Sequence, residues 1–315
     1  MMTTNAALTR ARSKENRDEW YTPYRIVEEE LTHYSEQFSG KKIYCNCDDP
    51  FRSQFTRYFL ENFHEIGLKE LVSTSHIRGG RGLILRISGI AESVDDTIRN
   101  NTEKLAGNGD FRSEECVSIL KECDVCVTNP PFSLFNDLIS LLEDHDKSFL
   151  MIGNMNALTY KGIFPHIMDG TFRIGHRFGD MEFMVPDDTE PRATRYWQDD
   201  TGQKWRSLGN AMWLTNLNVL DRPSLKTTGN TEKYRHYDGQ DIIDVPRVSM
   251  IPTDYDGVMG VPITFLRYYD PRRMEIVGVA KHGCDHEWDY FVPKIDGKSL
   301  FTRILVRFNK NEKQF

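Results

Sequence analysis

The sequence has no apolar run that approaches the roughly 20 residues needed for a membrane-spanning helix. Its first 20 residues contain no apolar core, so we expect no secretory signal there. The 315 residues also show no internal repeat and no low-complexity tract, which excludes solenoid and fibrous classes. A chain of this length is expected to form one large domain or two smaller ones. Without an apolar segment, we expect it to act in the cytoplasm and to have no membrane partner.

Cysteine pairs suited to metal binding are scarce. Only Cys123 and Cys126 have zinc-knuckle spacing, and no second pair accompanies them. Both lie in an apolar run that resembles a strand. We therefore interpret the cysteines as reduced core thiols and expect no metal site. The full set is Cys45, Cys47, Cys116, Cys123, Cys126 and Cys284.

Positive charge is also in deficit, since the net charge is −7, and this argues against a nucleic-acid partner. The distribution weakens that argument. Residues 1–191 hold 21 basic and 31 acidic side chains, whereas residues 192–315 hold 19 and 16. Local basic patches decide phosphate binding, although solvated charged faces look the same in sequence.

Residues 1–17 form a separate basic segment with Arg10, Arg12 and Lys14. We interpret it as a flexible arm that could order on DNA as a clamp, with a plain disordered tail as the alternative.

Strand-like and helix-like patterns alternate over the first half of the chain. Helical spacing appears at 25–38, 51–67, 113–122 and 133–145, and strand patterns at 41–47, 68–77, 123–129 and 147–154, with 82–89 as a further candidate. This alternation predicts an α/β fold, an open parallel sheet with helices on both faces. After about residue 156 it fades into short strand-like pieces at 210–220, 260–269, 274–280 and 300–308.

The tip of one predicted strand carries Asn129, Pro130, Pro131 and Phe132. Two prolines cannot extend a strand ladder because they lack N–H donors. Asn129 Oδ1 and the Pro130 carbonyl could instead accept the two N–H groups of an exocyclic aromatic amine, while Phe132 stacks on its ring. The alternative is a simple turn in which Phe132 packs into the core.

This tetrapeptide matches the catalytic motif of amino-methyltransferases that use S-adenosylmethionine. Together with "DEWYTPY" (18–24), "YCNCDDPFRSQFTRYF" (44–59), "NPPFSLFNDLI" (129–139) and "PITFLRYYDPRRMEIVG" (262–278), it resembles the EcoRI-type adenine-specific DNA methyltransferases. The likeness spans nearly the whole chain. It implies a Rossmann-like methyltransferase sheet, S-adenosyl-L-methionine as cofactor, and methylation of a flipped-out adenine at N6 in a specific duplex sequence.

The resemblance also implies roles for individual residues. Asn129, Pro130, Pro131 and Phe132 would be catalytic. Cofactor binding is expected from Tyr21, Thr22, Pro23, Asp49, Pro50, Phe51, Asp110 and Phe111.

Two features depart from the family pattern. The Asp49-Pro50-Phe51 motif lacks the glycines that usually follow it, and a plain strand-end turn is its alternative interpretation. In addition, no clear acid ends the strand at 68–77 to hold the ribose hydroxyls of the cofactor.

DNA contacts are predicted mainly from the second half of the chain. Arginine side chains suit base edges and phosphates, with a solvated surface position as the alternative. Trp213 is the candidate for a second stacking surface on the flipped base, and an ordinary core tryptophan is its alternative. The predicted DNA-binding residues are Trp213, Arg195, Arg206, Arg267, Arg272, Arg10, Arg12 and Lys14.

The predicted layout has an arm at 1–17, a catalytic domain at 18–220 and a target-recognition region at 221–315. Recognition elements that begin near 176 are the alternative boundary. The family likeness further implies a monomer that acts on double-stranded DNA, close to the nucleoid of a bacterial or phage-infected cell.

Two other functions stay open. Asn-Pro-Pro enzymes with an aromatic fourth residue also methylate RNA bases or protein glutamines. A DNA-binding relative that has lost its cofactor is the other possibility. The Pro-Cys dipeptide of cytosine-C5 enzymes is absent from the sequence, so a covalent cysteine mechanism is not expected.

Overall fold

The computed structural model describes residues 20–220, 224–225, 234–283 and 286–309. These residues form two compact units. The first comprises the described residues up to Asn154 together with Gly175–Val219, and the second comprises Met155–Ile174 and the described residues from Leu220 onward. Within the described ranges, no helix is long and apolar enough to span a membrane.

The first unit is built on a nine-stranded mixed sheet. Eight strands follow the order β4-β3-β2-β1-β5-β6-β9-β7, and β8 pairs with β9. The strands are β1 (Lys42–Cys45), β2 (Glu70–Ser75), β3 (Leu83–Ile87), β4 (Thr102–Lys104), β5 (Val125–Thr128), β6 (Ser148–Asn154), β7 (Arg173–Met184), β8 (Tyr196–Gln198) and β9 (Lys204–Thr215).

Helices connect or precede these strands. The helices of this unit are α1 (Tyr24–Leu31), α2 (Ser35–Phe38), α3 (Gln54–Glu61), α4 (Phe63–Ile66), α5 (Val94–Asn101), α6 (Glu114–Glu122) and α7 (Phe135–Asp144), with 3₁₀ turns at Thr32–Tyr34 and Phe132–Leu134.

Four adjacent strands, β2, β1, β5 and β6, run parallel. The chain passes from β1 to β2 on one side, whereas β5 lies on the other side of β1. Right-handed crossovers in opposite directions place helices on opposite faces of a sheet. They also open a crevice at the carboxyl ends of β1 and β5, where ligands bind in this class of fold.

The outer strands depart from the all-parallel expectation. β3 is antiparallel to β2, and β9 is antiparallel to β6. The sheet is therefore mixed. β3 turns back along β2 after a short loop, whereas β9 returns along β6 only after β7 and β8 have been formed. The fold is otherwise the predicted Rossmann-like α/β sheet.

Two predicted helices are each divided. The helix expected at 25–38 tightens into a 3₁₀ turn where the Thr32 hydroxyl donates to the Glu28 carbonyl at 2.9 Å. The helix expected at 51–67 breaks at Asn62, whose Nδ2 donates to the Tyr58 carbonyl at 2.9 Å. Side-chain hydrogen bonds to the backbone compete with helical ones, which explains both breaks.

The core of this unit is rich in aromatic residues. Tyr34, Phe38, Phe55 and Phe59 are almost fully buried against the sheet, and Trp213 of β9 packs its ring 5.6 Å from that of Phe55. Burial of such side chains supplies about 1.5–3 kcal/mol each, so this layer holds the helices on the sheet.

The second unit is largely β-structure. A five-stranded sheet has the order β10-β11-β16-β12-β13, and β14 pairs with β15. Its elements are α8 (Phe164–Asp169), β10 (Ile243–Asp244), β11 (Met259–Pro262), β12 (Met274–Ala280), β13 (Asp289–Phe291), β14 (Lys294–Ile295), β15 (Lys298–Ser299) and β16 (Arg303–Phe308), with 3₁₀ turns at Met155–Thr159, Val248–Met250 and Ile263–Tyr268.

The predicted boundary between a catalytic domain at 18–220 and a recognition region at 221–315 stays a prediction. The second unit draws Met155–Ile174 and Leu220 from inside the range predicted for the catalytic domain, and its remaining described residues come from the predicted recognition region. The arm at 1–17 lies outside the described residues.

Candidate active site

At the tip of β5, one polar side-chain atom of Asn129 is hydrogen-bonded, and the other has no partner among the described residues. Its Nδ2 donates to the Trp20 carbonyl at 2.6 Å, which fixes the orientation of the amide. Its Oδ1 is buried and has no hydrogen-bond partner among the described residues. Because an unpartnered buried acceptor costs about 1–3 kcal/mol, this oxygen is suited to a ligand N–H.

The prolines and Phe132 shape the same tip. Pro130 is buried, and the Pro131 carbonyl accepts the Leu134 N–H at 2.9 Å, which begins the 3₁₀ turn at Phe132. Phe132 is half-buried, and its ring meets the Trp20 ring edge-to-face at 6.0 Å. The turn therefore replaces the strand ladder that the prolines cannot continue.

Trp20 connects several parts of the site. Its carbonyl holds Asn129, and the guanidinium of Arg206 stacks over its ring at 4.7 Å. The next residue, Tyr21, exchanges backbone hydrogen bonds with Met184 at the end of β7. The segment before α1 is thus attached to the sheet edge at the position where it can orient the Asn129 amide.

Asp48 joins the tips of β1 and β5. Its Oδ1 accepts the Ser53 hydroxyl at 2.7 Å, and its Oδ2 accepts the Thr128 hydroxyl at 2.6 Å. Burial raises the pKa of the Asp48 carboxyl to about 6, against the lowering effect of those hydroxyls and of the Asn129 backbone N–H. The carboxyl therefore fixes the backbone at the end of β5, next to Asn129.

The Asp49-Pro50-Phe51 motif forms the turn between β1 and α3. Asp49 lines the cavity, and its carboxylate accepts the Phe51 N–H at 2.9 Å. Pro50 is buried and Phe51 is 57% exposed, and neither lines the cavity. Ser53 then caps α3 by accepting the N–H groups of Phe55 and Thr56.

Asp110 and Phe111 lie on a loop that packs against the end of β2. Arg112 donates to the Asp110 carboxylate at 2.8 Å and holds the pKa of that carboxyl below its usual value. Arg112 also pairs with Asp137 at 3.0 Å. Phe111 is buried and lines the cavity.

A cavity of about 540 Å³ unites these elements, within the size range of small-molecule sites. It brings together seven of the predicted catalytic and cofactor residues: Tyr21, Thr22, Asp49, Asp110, Phe111, Asn129 and Pro131. Five others do not line it, namely Pro23, Pro50, Phe51, Pro130 and Phe132. Pro23 instead precedes the first residue of α1 as its N-cap.

Several further residues of this cavity are absent from the predicted set, among them Trp20, Asn46, Asp48 and Ser75. Asp48 stands beside the predicted Asp49, so the paired carboxylates were a usable signal. The others have ordinary side chains at strand ends or in a loop, and only the assembled fold places them at the cavity.

The prediction for Trp213 requires a correction. Its side chain is fully buried (0% exposed) and belongs to the core cluster. A ring enclosed by protein on both faces cannot stack on a base, so the core interpretation holds.

The predicted DNA-binding arginines have varied surroundings. Arg195 pairs with Asp180 at 2.7 Å, and the largely exposed Arg272 pairs with Asp270 at 2.7 Å. Arg267 is half-buried in the 3₁₀ turn Ile263–Tyr268. Arg206 does not line the cavity itself but stacks on Trp20, which does. Arg10, Arg12 and Lys14 lie outside the described residues.

The described cysteines are free thiols. Cys45, Cys116, Cys123 and Cys126 are buried, and Cys47 is partly buried. Burial raises the pKa of the Cys123 thiol to about 12, so it is not a ready nucleophile. Cys284 lies outside the described residues.

A Rossmann-like sheet with Asn-Pro-Pro-Phe at a strand tip, beside a cavity at the carboxyl ends of its parallel strands, defines an amino-methyltransferase. Comparison with known proteins identifies the family. The family described as adenine-specific methyltransferase EcoRI matches residues 7–313. This chain belongs to that family, as the sequence motifs predicted.

Individual relatives match over most of their length. The chain is 39% identical to the Type II methyltransferase M.EcoRI of Escherichia coli, over 98% of each chain. It is 33% identical to the Type II methyltransferase M.MpnI of Mycoplasma pneumoniae, over 96% of this chain and 98% of that protein. A third relative, M.MgeORF184P of Mycoplasma genitalium, is 34% identical over 85% and 84%.

Proposed function

We propose that this adenine-specific methyltransferase transfers a methyl group from S-adenosyl-L-methionine to adenine N6 in a specific duplex DNA sequence. The observation that carries the proposal is the buried Oδ1 of Asn129, which has no partner among the described residues while Trp20 holds the Nδ2 of the same amide. An acceptor fixed in this way suits one N–H of an aromatic amine, and the Pro130 carbonyl suits the other.

The donor set of the cavity fits the proposed cofactor. Thr22 Oγ1 is buried without a partner among the described residues, and Tyr21, Asp49 and Phe111 line the same space. Tyr21, Thr22 and Asp49 would hold the amino-acid part, with Asp110 and Phe111 beside the purine ring. When bound, the cofactor supplies an electrophilic methyl group on a sulfonium.

The residues of the chain perform positioning and charge stabilisation. Acceptors on both N–H groups of the adenine amine increase electron density at nitrogen and hold it towards tetrahedral geometry. As nitrogen develops positive charge, Asn129 Oδ1 and the Pro130 carbonyl stabilise it. No cysteine nucleophile is required, in agreement with the buried thiols.

Binding of duplex DNA requires a flipped adenine and a cation for the phosphates, and Arg206 is the candidate cation. An adenine inside a duplex cannot reach a strand tip, so it must leave the stack at a cost of a few kcal/mol. The rings of Phe132 and Trp20 offer aromatic surface to offset that cost, a role that Trp213 cannot take. Arg206 has no carboxylate partner in the described part of the chain, which suits a DNA phosphate.

An adenine-specific family argues against a protein-glutamine substrate. The cavity with its buried unpartnered groups argues against a relative that has lost its cofactor. We further propose that a monomer is sufficient, since the catalytic motif and the cavity lie in one unit of one chain. Its site of action would be the bacterial cytoplasm at the nucleoid, where the DNA is.

Nucleoside analysis tests the proposed reaction. Purified protein is incubated with S-adenosylmethionine and unmethylated genomic DNA, and N6-methyladenine is quantified by mass spectrometry after digestion. We expect N6-methyladenine from the wild type and a loss of about 100-fold or more in Asn129→Ala.

Asn100→Ala is the matched control, because Asn100 is exposed on α5 and its side chain hydrogen-bonds only to Glu92 among the described residues. It should retain wild-type activity. Failure of the wild type to form N6-methyladenine, or full activity in Asn129→Ala, would overturn the proposal.

A further inference from the structure

Four residues of the cavity carry buried polar atoms with no hydrogen-bond partner among the described residues. They are Thr22 Oγ1, both side-chain atoms of Asn46, Ser75 Oγ and Asn129 Oδ1. Each such atom costs about 1–3 kcal/mol unless a ligand satisfies it. Thr22 and Asn129 have roles in the proposed function, whereas Asn46 and Ser75 have none.

Asn46 and Ser75 lie at adjacent strand ends. Asn46 directly follows β1 and Ser75 is the last residue of β2, and these strands are paired in parallel with Cys45 opposite Ser73. Asn46 is 2% exposed and Ser75 is 5% exposed, so both residues are more than nine-tenths buried. Two neutral hydrogen-bonding residues at adjacent strand ends therefore line the same cavity.

This is the position where nucleotide-binding α/β folds usually place an acid to hold the ribose hydroxyls. The residue after β2 is His76, which is exposed and lies 3.3 Å from the Asn108 amide. A carboxylate is thus missing from the expected place.

The acids that line the cavity are already engaged. Asp48 accepts the hydroxyls of Ser53 and Thr128, and Asp110 and Asp137 share Arg112. Asp49 accepts a backbone N–H within its own turn and is already assigned to the amino-acid part of the proposed cofactor. Asn46 and Ser75, in contrast, have unused donors and acceptors.

A ribose 2′,3′-diol presents two hydroxyls, and each can donate and accept. The Asn46 amide offers one acceptor and two donors, and the Ser75 hydroxyl offers one donor and two acceptors. The pair can therefore complement both hydroxyls without a charge. The loop that carries the predicted adenine contacts Asp110 and Phe111 packs on the Ser75 carbonyl through Gly109, so the ribose position adjoins the purine position.

We propose that Asn46 and Ser75 form a neutral binding site for the ribose diol of the cofactor and replace the usual acid after β2. The inference rests on the proposed function, since it assigns one part of the same ligand.

Calorimetric titration with S-adenosylhomocysteine and its 2′-deoxy and 3′-deoxy analogues tests this site without measuring activity. In the wild type, loss of either hydroxyl should weaken binding about three- to tenfold, as one neutral hydrogen bond predicts. Ser75→Ala and Asn46→Ala should weaken the binding of S-adenosylhomocysteine by a similar factor. Each variant should then be nearly insensitive to the loss of at least one hydroxyl.

Thr97→Val is the matched control. Thr97 Oγ1 is also buried without a partner in the described ranges, but it lies on α5 and does not line the cavity. This variant should bind all three ligands as the wild type does. Ser75→Ala removes no hydrogen bond among the described residues, so its melting temperature should not fall, and its binding data report on the ligand alone.

The outcomes separate the two proposals. If both variants bind the parent ligand normally, or if the deoxy penalties persist unchanged in them, the ribose assignment is overturned while the cofactor stands. If S-adenosylhomocysteine fails to bind the wild type, the proposed cofactor is wrong and the ribose assignment with it.

Discussion

Asn129 shows how a single side chain acquires a function from a distant backbone group. The Trp20 carbonyl, 109 positions earlier in the chain, takes the amide N–H and leaves the oxygen for a ligand. Asparagine without that partner could rotate and present either atom. The orientation of this amide is the residue-scale property on which the proposed chemistry depends.

Asp48 provides a residue-scale prediction about pH. Its pKa is raised to about 6 by burial, whereas in the unfolded chain it should be near the usual value of about 3.9. Between about pH 4 and pH 6 the folded protein therefore binds more protons here than the unfolded chain does. The stability from this group is present below about pH 4 and is lost as the pH rises through 6.

Asp48→Asn cannot titrate, so the variant should lack this loss. The difference in free energy of unfolding between variant and wild type should shift in favour of the variant by about 3 kcal/mol from pH 4 to pH 7. Urea unfolding at a series of pH values measures it. Parallel curves for the two proteins would contradict the interpretation.

At the scale of elements, α3 begins inside the active site. Ser53 caps this helix and also donates to Asp48, so one hydroxyl joins the helix to the strand tips. Ser113 caps α6 with a single bond to the Cys116 N–H. The two serines have the same helical role in different surroundings.

Ser53→Ala should destabilise the protein by about 2–4 kcal/mol, because it removes a cap and a hydrogen bond to a buried carboxyl. Ser113→Ala should cost about 1 kcal/mol, the value of a cap alone. Thermal and urea unfolding of both variants provide the comparison. Equal losses in the two would mean that the bond to Asp48 contributes nothing.

The loop before Asp110 depends on a glycine at a close approach. Gly109 has φ +82°, and an added Cβ would lie 2.1 Å from the Ser75 carbonyl oxygen. Gly40 also has positive φ, at +71°, but its Cβ would meet nothing within 4 Å.

Gly109→Ala should therefore destabilise the protein by about 3 kcal/mol or more, through backbone strain and the clash together. Gly40→Ala should cost about 1 kcal/mol, through strain alone. Urea midpoints of the two variants test this order. A smaller loss for Gly109→Ala than for Gly40→Ala would refute the packing of this loop against β2.

At the scale of the whole molecule, a net charge of −7 has to coexist with a DNA substrate. Attraction then depends on local cations such as Arg206, which stacks on Trp20 and has Arg192 as its charged neighbour. Burial and Arg192 lower the pKa of the Arg206 guanidinium, but arginine stays charged at neutral pH. A phosphate would compensate this charge.

Arg206→Gln should weaken duplex binding similarly for all sequences and reduce the slope of log K against log salt by about one. Arg99→Gln is the control, because Arg99 is exposed on α5 and paired with Asp96. Fluorescence anisotropy over a salt series measures both variants. An unchanged slope for Arg206→Gln would place this arginine away from the backbone phosphates.

For the molecule as a whole, sequence patterns predicted some of the strands and helices and missed others. The alternation of patterns predicted the parallel strands and the helices between them, because burial on one face leaves a period in the sequence. It did not predict β4, β7 or β8, which are short or polar, nor the antiparallel edges. Pairing direction depends on connections and neighbours, which leave no local period.

Contiguous residues with distinctive chemistry were enough to predict the family and the class of fold, and they also located the tetrapeptide that we propose to be catalytic. The packed fold was needed to show that Trp213 is a core residue, that Asp48 joins the ends of β1 and β5, and that Asn46 and Ser75 line one cavity. These properties depend on which atoms are left without partners once the chain is packed. Hydrogen bonds between residues far apart in the chain settle that, and neither composition nor spacing records them.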